Sequence, residues 1–248
     1  MKHKKVYFIS DLHLGLNARF TSREREKQVV QWLEEISTDC HELYFLGDVF
    51  DAWFEYQSVI PKGHTRFLGA LASICDMGIP VSLFTGNHDL WLSTWLVDEL
   101  GAVILKSPIR KSILQKRFLL GHGDGLGPGD QGYKFIKKVF ANRPLQWLYR
   151  WIHPDIGIPL MKLISQKSRE HQSDDFEIIP YKERQIIFSE HYILKNEVDF
   201  IIFGHRHIPL NYILSNGKTR YINLGDWLEH YTYGVFDGEE FRLEKFLK

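Results

Sequence analysis

The sequence contains little cysteine: Cys40 and Cys75 are its only two thiols among 248 residues. Two cysteines so far apart argue against a disulfide framework and against a thiolate zinc cluster, and they favour a reducing cytoplasm. Long apolar runs are also lacking, because no segment approaches the roughly 18 apolar residues that a membrane-spanning helix needs. The basic N-terminus leads into an apolar run that stops at Asp11, too short for a signal peptide. We therefore expect a cytoplasmic protein, in solution or on a membrane surface.

An excess of one charge is lacking as well. Thirty-one Lys and Arg balance thirty-one Asp and Glu, so no net charge attracts nucleic acid, and we expect no nucleic-acid partner. Hydrophobic residues make up 44% of the chain and charged residues 25%, which is typical of a folded domain rather than a disordered chain. A chain of this length fits one large domain, or one domain with an insertion.

Short apolar runs recur along the chain, and each ends in a polar cluster. The runs lead into "DLHLG" at 11–15, "GDVFDAW" at 47–53, "GNHDLW" at 86–91, "GHGDGLG" at 121–127 and "GHRH" at 204–207. Stretches with helical periodicity separate the early runs, and the charged "REREK" at 23–27 predicts a solvated first helical turn. Alternating strands, loops and helices predict a layered α/β domain with its ligands at the carboxyl ends of the strands. The last 40 residues instead predict antiparallel strands with Asn-Gly and Asp-Gly turns.

Residues 129–190 interrupt this alternation and predict helices rich in aromatic and aliphatic residues. Within them, 133–170 carry eight Lys and Arg against two acidic residues, a formal charge of +6. Trp147 and Trp151 are four residues apart and share a helix face, which contacts either the core or an apolar ligand. Two interpretations remain open: a helical hairpin packed on the sheet core, or an amphipathic lid that binds an apolar ligand, a phosphate group or a membrane surface.

The polar clusters hold the residue types that bind divalent metals. Carboxylate, imidazole and amide ligands commonly hold pairs of ions that activate water for phosphoryl chemistry, and a carboxylate can bridge both ions. Each cluster is weak on its own, since Asp11 could cap a helix and Gly-Asp at 47–48 is a common turn. Five such clusters at five predicted strand ends are difficult to explain by packing alone. The sequence therefore predicts a metal centre.

The ordered motifs "DLH", "GDxxD", "GNHD", "GHG" and "GHRH" resemble the calcineurin-like metallophosphoesterase superfamily over nearly the whole chain. The resemblance implies a four-layer α/β/β/α sandwich, a single domain over 1–248 in which 129–190 form a helical lid. It implies one metal held by Asp11, His13, Asp48 and His207, and a second held by Asp48, Asn87, His122 and His205, with Asp48 as the bridge. Mn²⁺ is favoured for both ions, and oxygen and nitrogen ligands also admit Fe or Zn²⁺.

Further roles are expected for polar residues beside these ligands. The predicted catalytic residues are the bridging Asp48 and His88, which would donate a proton to the leaving oxygen or stabilise charge on it. Asp51, Asp89 and Asp124 are expected to accept hydrogen bonds that fix imidazole orientation, with Asp89 orienting His88; an ordinary surface position is the alternative for each.

The insertion and "GDVFDAW" are similar to the UDP-2,3-diacylglucosamine hydrolase branch of the superfamily. This similarity implies Mn²⁺-dependent cleavage of the substrate pyrophosphate to UMP and 2,3-diacylglucosamine 1-phosphate, a step of lipid A synthesis. It also implies a peripheral enzyme on the inner face of the cytoplasmic membrane, with no obligate protein partner. The expected substrate contacts are Asn87, His88, Asp130, Tyr133 and Ser168.

Two departures from this branch keep other functions open. The branch usually has Arg where this chain has His88, and Lys where it has Asp175. A soluble phosphoesterase acting on nucleotides or phosphoproteins is therefore one alternative. A non-catalytic scaffold is another, although scaffolds usually lose metal ligands and every ligand position is filled here.

Overall fold

Two β-sheets form the centre of the molecule in the computed structural model, which describes residues 5–106, 108–129, 131–170 and 179–246. The strands are β1 Lys5–Ile9, β2 Cys40–Phe45, β3 Val81–Phe84, β4 Val103–Leu105, β5 Ile109–Ile113, β6 Lys116–Leu120, β7 Phe200–Phe203, β8 Pro209–Ile213, β9 Arg220–Leu224, β10 Thr232–Phe236 and β11 Phe241–Lys245. The helices are α1 Ser22–Ile36, α2 Thr65–Asp76, α3 Trp95–Leu100, α4 Gln131–Phe140, α5 Arg143–Tyr149, α6 Pro154–Glu170 and α7 Arg184–Ile193.

The first sheet has the strand order β11-β10-β1-β2-β3-β4, and the second has the order β5-β6-β7-β9-β8. Strands β1 to β4 are parallel, as are the β6–β7 and β7–β9 pairs. The later strands pair antiparallel as β8–β9 and β10–β11, which confirms the change of pattern expected near the end of the chain. The carboxyl ends of β1, β2 and β3 therefore lie side by side.

The alternation of side chains along β1 shows how the layers are built. Val6 and Phe8 lie in the core between the two sheets, whereas Tyr7 and Ile9 face the core under α1 and α2. A third apolar cluster lies on the other side of the second sheet, where Ile186 of α7 packs. Every second residue of a strand faces the same side, so each sheet contributes to two cores. The predicted four-layer α/β/β/α sandwich is confirmed.

The charged stretch at the start of α1 is only partly solvated: Arg23, Glu24 and Lys27 are exposed as expected, whereas Arg25 and Glu26 are buried. Arg25 is buried, and its guanidinium donates to the carbonyl oxygens of Leu12 and His13, at 2.8 Å each. Glu26 is also buried, and it accepts from the first backbone N–H groups of α2 at 2.9 and 3.1 Å. Buried charges persist where hydrogen bonds satisfy them, and here they hold the loop after β1 and the start of α2.

The helical insertion, as we call α4, α5 and α6, turns much of its apolar surface outward. Large exposed apolar side chains on these helices are Phe135, Ile136, Val139, Leu145, Trp147, Leu148, Ile156, Leu160, Leu163 and Ile164, of which Ile136 and Ile164 line a cavity; Trp151 is also exposed but lies between α5 and α6, not on the helix of Trp147 as expected. This exposure does not fit a hairpin whose apolar side is covered by the sheet core, and it favours the amphipathic interpretation. Among the described residues, no helix combines the length and apolar character that crossing a membrane requires.

Candidate metal centre

The loops that follow β1, β2, β3, β6 and β7 meet at one edge of the sandwich. Five of the predicted ligands there have a left-handed backbone, with φ of 55° at Asp11, 43° at His13, 51° at Asp48, 71° at His205 and 57° at His207. Positive φ is uncommon in residues other than glycine and is characteristically found at functional sites. The backbone N–H groups of Asp11 and His13 donate across to the loop after β2, at 3.1 and 2.9 Å, which holds this conformation in place.

Two glycines let these loops approach each other closely. A Cβ atom at Gly86 would collide with the carboxylate of Asp48, and one at Gly204 would collide with Ser10 and Asp11. Glycine is therefore required directly before Asn87 and directly before His205. The glycines in "GNHD" and in "GHRH" thus make room for the ligands of neighbouring loops.

The first candidate metal site is formed by Asp11, His13 and His207, whose ligand atoms lie within 4.8 Å of one another. Nε2 of His207 is 3.2 Å from Oδ1 of Asp11 and 3.2 Å from Nε2 of His13. Nε2 of His13 is also 3.7 Å from Oδ2 of Asp48. Imidazole nitrogens and carboxylate oxygens that converge in this way suit a divalent cation.

The second candidate metal site is formed by Asp48, His122 and His205, again within 4.8 Å, with Asn87 beside them. Nε2 of His122 is 3.3 Å from Oδ2 of Asp48 and 3.1 Å from Oδ1 of Asn87. Nδ1 of His205 is 2.9 Å from the same amide oxygen. Because Oδ2 of Asp48 faces both groups, Asp48 lies where a bridging ligand would lie. The structure thus brings together all seven residues that we expected to bind metal.

The electrostatics of the centre favour positive charge. Burial alone would lower the pKa of His122, but the carboxylate of Asp48, followed by that of Asp11, raises it to about 10. Burial also lowers the pKa of His207, but the carboxylate of Asp11 outweighs burial and raises this pKa to about 10. The pKa of Asp48 lies far below its usual range, because neighbouring imidazoles outweigh its burial. A cavity that stabilises imidazolium in this way would also stabilise a bound cation.

Two of the candidate ligands have a defined partner for their other ring nitrogen. Nδ1 of His122 is 2.8 Å from the carbonyl oxygen of Leu46 and donates to it, which leaves the lone pair of Nε2 for a metal. Nδ1 of His207 is 3.4 Å from the buried carboxylate of Asp226, a residue that sequence reasoning missed. The signal was present, since Gly225 and Asp226 directly follow β9, just as Gly47 and Asp48 follow β2.

The three aspartates expected to orient imidazoles differ in what they contact. Asp89 does not orient His88: its carboxylate accepts from the backbone N–H groups of Asp48, Val49, Phe50 and Gly86, at 2.7 to 3.3 Å. Four amide donors from two loops satisfy its oxygens and pin the loop after β2 to the loop after β3. The expectation for Asp89 is therefore corrected.

Asp124 also binds groups other than imidazole. It accepts from the hydroxyl of Tyr133 and from Nζ of Lys137, at 2.6 Å for the lysine, and so ties α4 to the centre. Asp51 comes closer to the expectation, with Oδ1 3.6 Å from Nδ1 of His13, but its hydrogen bonds come from α6.

A cavity of about 560 Å³ joins the candidate metal centre to the inner face of the helical insertion. Its lining residues are Trp53, Asn87, His88, Leu90, Trp91, Gly132, Tyr133, Ile136, Lys137, Phe140, Met161, Ile164, Ser165, Lys167, Ser168 and His205. Four of the expected substrate contacts are among them, namely Asn87, His88, Tyr133 and Ser168. Asp130 and Asp175 lie outside the described residues.

The wall of this cavity mixes core and insertion residues. Trp53 is fully buried, whereas the indole of Trp91 is partly exposed and donates to the carbonyl oxygen of Phe140 at 2.6 Å. Trp91 therefore joins the loop after β3 to the end of α4. Sequence reasoning did not foresee Ile136, Met161 or Ser165 in this role.

Comparison with known proteins gives three findings. The calcineurin-like phosphoesterase family profile matches residues 4–209. The chain is 38% identical to the UDP-2,3-diacylglucosamine hydrolase of Porphyromonas gingivalis, covering 97% of each chain, and 27% identical to the protein of that name from Histophilus somni, covering 90% of this chain and 92% of the relative. A solved phosphoesterase from E. coli aligns with a TM-score of 0.47 at 14% identity, covering 98% of this chain and 93% of that one.

Proposed function

Because this chain belongs to the calcineurin-like phosphoesterases, we propose that it is a metal-dependent hydrolase that cleaves UDP-2,3-diacylglucosamine to UMP and 2,3-diacylglucosamine 1-phosphate. The observation that carries the proposal is the cavity between the candidate metal centre and the apolar inner face of the helical insertion. Such a cavity suits a molecule with a pyrophosphate at one end and an apolar portion at the other. The name of the relative that is 38% identical supports the same substrate.

Two divalent ions, Mn²⁺ in our proposal, would be held by Asp11, His13, Asp48, Asn87, His122, His205 and His207. When bound, the ions supply an activated water and neutralise charge on the phosphate oxygens. Asp48 would bridge the two sites, and the amide oxygen of Asn87 would add a ligand without another negative charge. His88 lines the cavity beside these ligands and donates a proton to the leaving oxygen or stabilises charge on it.

The insertion residues select the substrate. Ile136, Phe140, Met161 and Ile164 provide an apolar wall for the acyl chains, and each methylene buried there contributes roughly 0.8 kcal/mol. Lys137 and Lys167 lie on the same wall and can pair with phosphate oxygens. Tyr133 and Ser168 offer hydroxyls to the sugar.

The outer surface of the insertion supports contact with a membrane. Trp151 is 75% exposed and Phe135 is 67% exposed, and positively charged side chains such as Lys138, Arg143 and Arg150 lie on the same helices or beside them. Apolar side chains that enter the headgroup region, together with cations that attract anionic lipid, are typical of a peripheral protein. We propose that the enzyme takes its lipid substrate from the inner face of the cytoplasmic membrane.

The test is to incubate purified protein and Mn²⁺ with UDP-2,3-diacylglucosamine and to follow UMP by chromatography. We expect UMP and the acylated sugar phosphate in equal amounts, and loss of both on adding a chelator. If the lipid stays intact while a dinucleoside polyphosphate is cleaved efficiently, the chain is a soluble nucleotide phosphoesterase. If neither is cleaved and the purified protein binds no metal, it is a non-catalytic scaffold.

A further inference from the structure

The imidazole of His88 is held by the helical insertion rather than by its own loop. Nδ1 of His88 is 2.6 Å from Oγ of Ser165, which lies on α6 some 77 residues along the chain. Both residues are buried, with 8% of His88 and 6% of Ser165 exposed. The nearest carboxylate oxygen, Oδ1 of Asp51, is 3.9 Å from Nδ1, too far for a hydrogen bond. Among the residues that the structure describes, Ser165 is therefore the hydrogen-bond partner of this ring nitrogen.

Ser165 belongs to a small buried network that joins α6 to the metal centre. Its Oγ is 3.1 Å from Oδ1 of Asp51 and 2.9 Å from the guanidinium of Arg169, one helical turn further along α6. Arg169 also pairs with Asp51, whose same oxygen is 3.6 Å from Nδ1 of the candidate ligand His13. Three polar side chains, Ser165, Arg169 and Asp51, thus connect the insertion to both His13 and His88.

The oxygen of Ser165 is shared by three neighbours in this network. Serine carries one hydroxyl proton, and Oγ has two candidate acceptors, Nδ1 of His88 at 2.6 Å and Asp51 at 3.1 Å. Arg169 donates to the oxygen of Ser165, and the hydroxyl of Ser165 donates to Asp51. The 2.6 Å contact between Oγ and Nδ1 therefore holds the ring of His88 against α6.

We propose that Ser165 is a positioning residue for the reaction, which fixes the ring orientation of His88 so that its Nε2 is available in the cavity. This inference rests on the proposed function, in which His88 acts on the leaving oxygen. The same helix carries Met161 and Ile164, which line the apolar wall. Seating of the substrate against α6 therefore also sets the position of His88, so that groups remote from the phosphate contribute to turnover.

A double-mutant cycle tests this role. We expect Ser165→Ala to lower kcat about tenfold with KM within about twofold, because the hydroxyl acts through His88 rather than on the substrate. Ser165→Thr keeps a hydroxyl and should restore most of the activity. In a His88→Ala background, Ser165→Ala should have no further effect. Lys162→Ala, on the same helix, is the control and should leave kcat unchanged.

The outcomes that overturn the inference are separate from those that overturn the proposed function. Equal losses from Ser165→Ala with and without His88 would show that Ser165 acts independently, and a rise in KM alone would make it a substrate contact. If the lipid is not cleaved, the cycle can be measured with bis(p-nitrophenyl) phosphate. Without any activity, ¹⁵N NMR of the Zn²⁺-loaded protein decides: we expect the ring nitrogen signals of His88 to shift in Ser165→Ala, and identical spectra in both proteins would contradict us.

Discussion

Polar side chains are buried at the metal centre, whereas apolar side chains are exposed on the helical insertion. Asp11 and His13 are fully buried, and Trp151 is 75% exposed. Both arrangements reverse the usual preference of these residue types, and both need a partner to be favourable. For the centre we propose divalent cations as the partner, and for the insertion an apolar ligand or a lipid surface. The comparison teaches that each region lacks a ligand, and that the residue types in the region indicate the chemistry of that ligand.

The two regions also differ in how firmly they are held. The loops of the centre are joined by backbone hydrogen bonds, by the four amide donors to Asp89 and by the buried Arg25. The insertion is joined to the body through side chains, chiefly Ser165 to His88, Tyr133 to Asp124 and Trp91 to the end of α4. We therefore expect the chemistry to depend on the centre and the choice of substrate to depend on the insertion.

The largest effect is expected at the bridging position. Asp48→Asn removes the charge that both candidate sites share, so we predict loss of most bound metal and a fall in kcat of at least about 10³-fold. Metal content by elemental analysis, together with steady-state kinetics, measures both. Asp76→Asn, an exposed aspartate on α2, is the matched control. Two ions retained per chain in Asp48→Asn would show that the ligand assignment is wrong.

A single ligand of one site should have a narrower effect. His122→Ala takes a nitrogen from the second site only, so we predict one ion lost, one retained, and nearly all activity lost. Elemental analysis of the purified variant checks this count. Retention of both ions would place His122 outside the metal sphere.

Loss of a residue that only orients a metal ligand should have a smaller effect than loss of the ligand itself. Asp226→Asn leaves His207 in place but removes the carboxylate 3.4 Å from its Nδ1. We predict metal affinity weaker by about 10- to 100-fold, with the fold intact. Titration of chelator-treated protein with Mn²⁺ measures the affinity, and an unchanged value would mean that Asp226 does not orient the imidazole.

The smallest effect on chemistry is expected on the outer face of the insertion. The double variant Trp147→Ser and Trp151→Ser should bind anionic vesicles about tenfold more weakly while cleaving a water-soluble phosphodiester at the normal rate. Leu194→Ser, an exposed apolar residue outside the insertion, is the control. Unchanged vesicle binding would contradict the proposed membrane contact. A lower rate with the soluble diester would show that the outer face of the insertion also affects the catalytic centre.

The sequence predicted the metal centre better than the insertion because the centre is built from local patterns. A strand that ends in Gly and a ligand appears as a few adjacent letters, and the parallel order of the strands then brings those letters together. Asp226 follows the same rule and could have been found by it. The burial of Arg25 could not have been predicted, since the sequence of a charged helical turn is the same whether the turn is solvated or buried against carbonyl groups.

Ser165 shows why the rest of the site escaped prediction. It contacts His88 only because α6 crosses the cavity, and nothing in the neighbouring letters marks a serine that faces inward. The apolar content of the insertion was visible in the sequence, but its direction was not, because a helix with apolar residues on several faces gives no single periodic signal. The tertiary packing of α4 to α6 decides which of those residues line the cavity and which lie outside.

The central claim is that the centre supplies the chemistry and the insertion selects a diacylated substrate. The most direct test is the ratio of kcat/KM for UDP-2,3-diacylglucosamine to kcat/KM for UDP-N-acetylglucosamine, measured with Mn²⁺ under identical conditions. Burial of even a few acyl methylenes at roughly 0.8 kcal/mol each predicts a ratio of at least about 10³. A ratio near one would contradict the account, because the insertion would then contribute nothing to the choice of substrate.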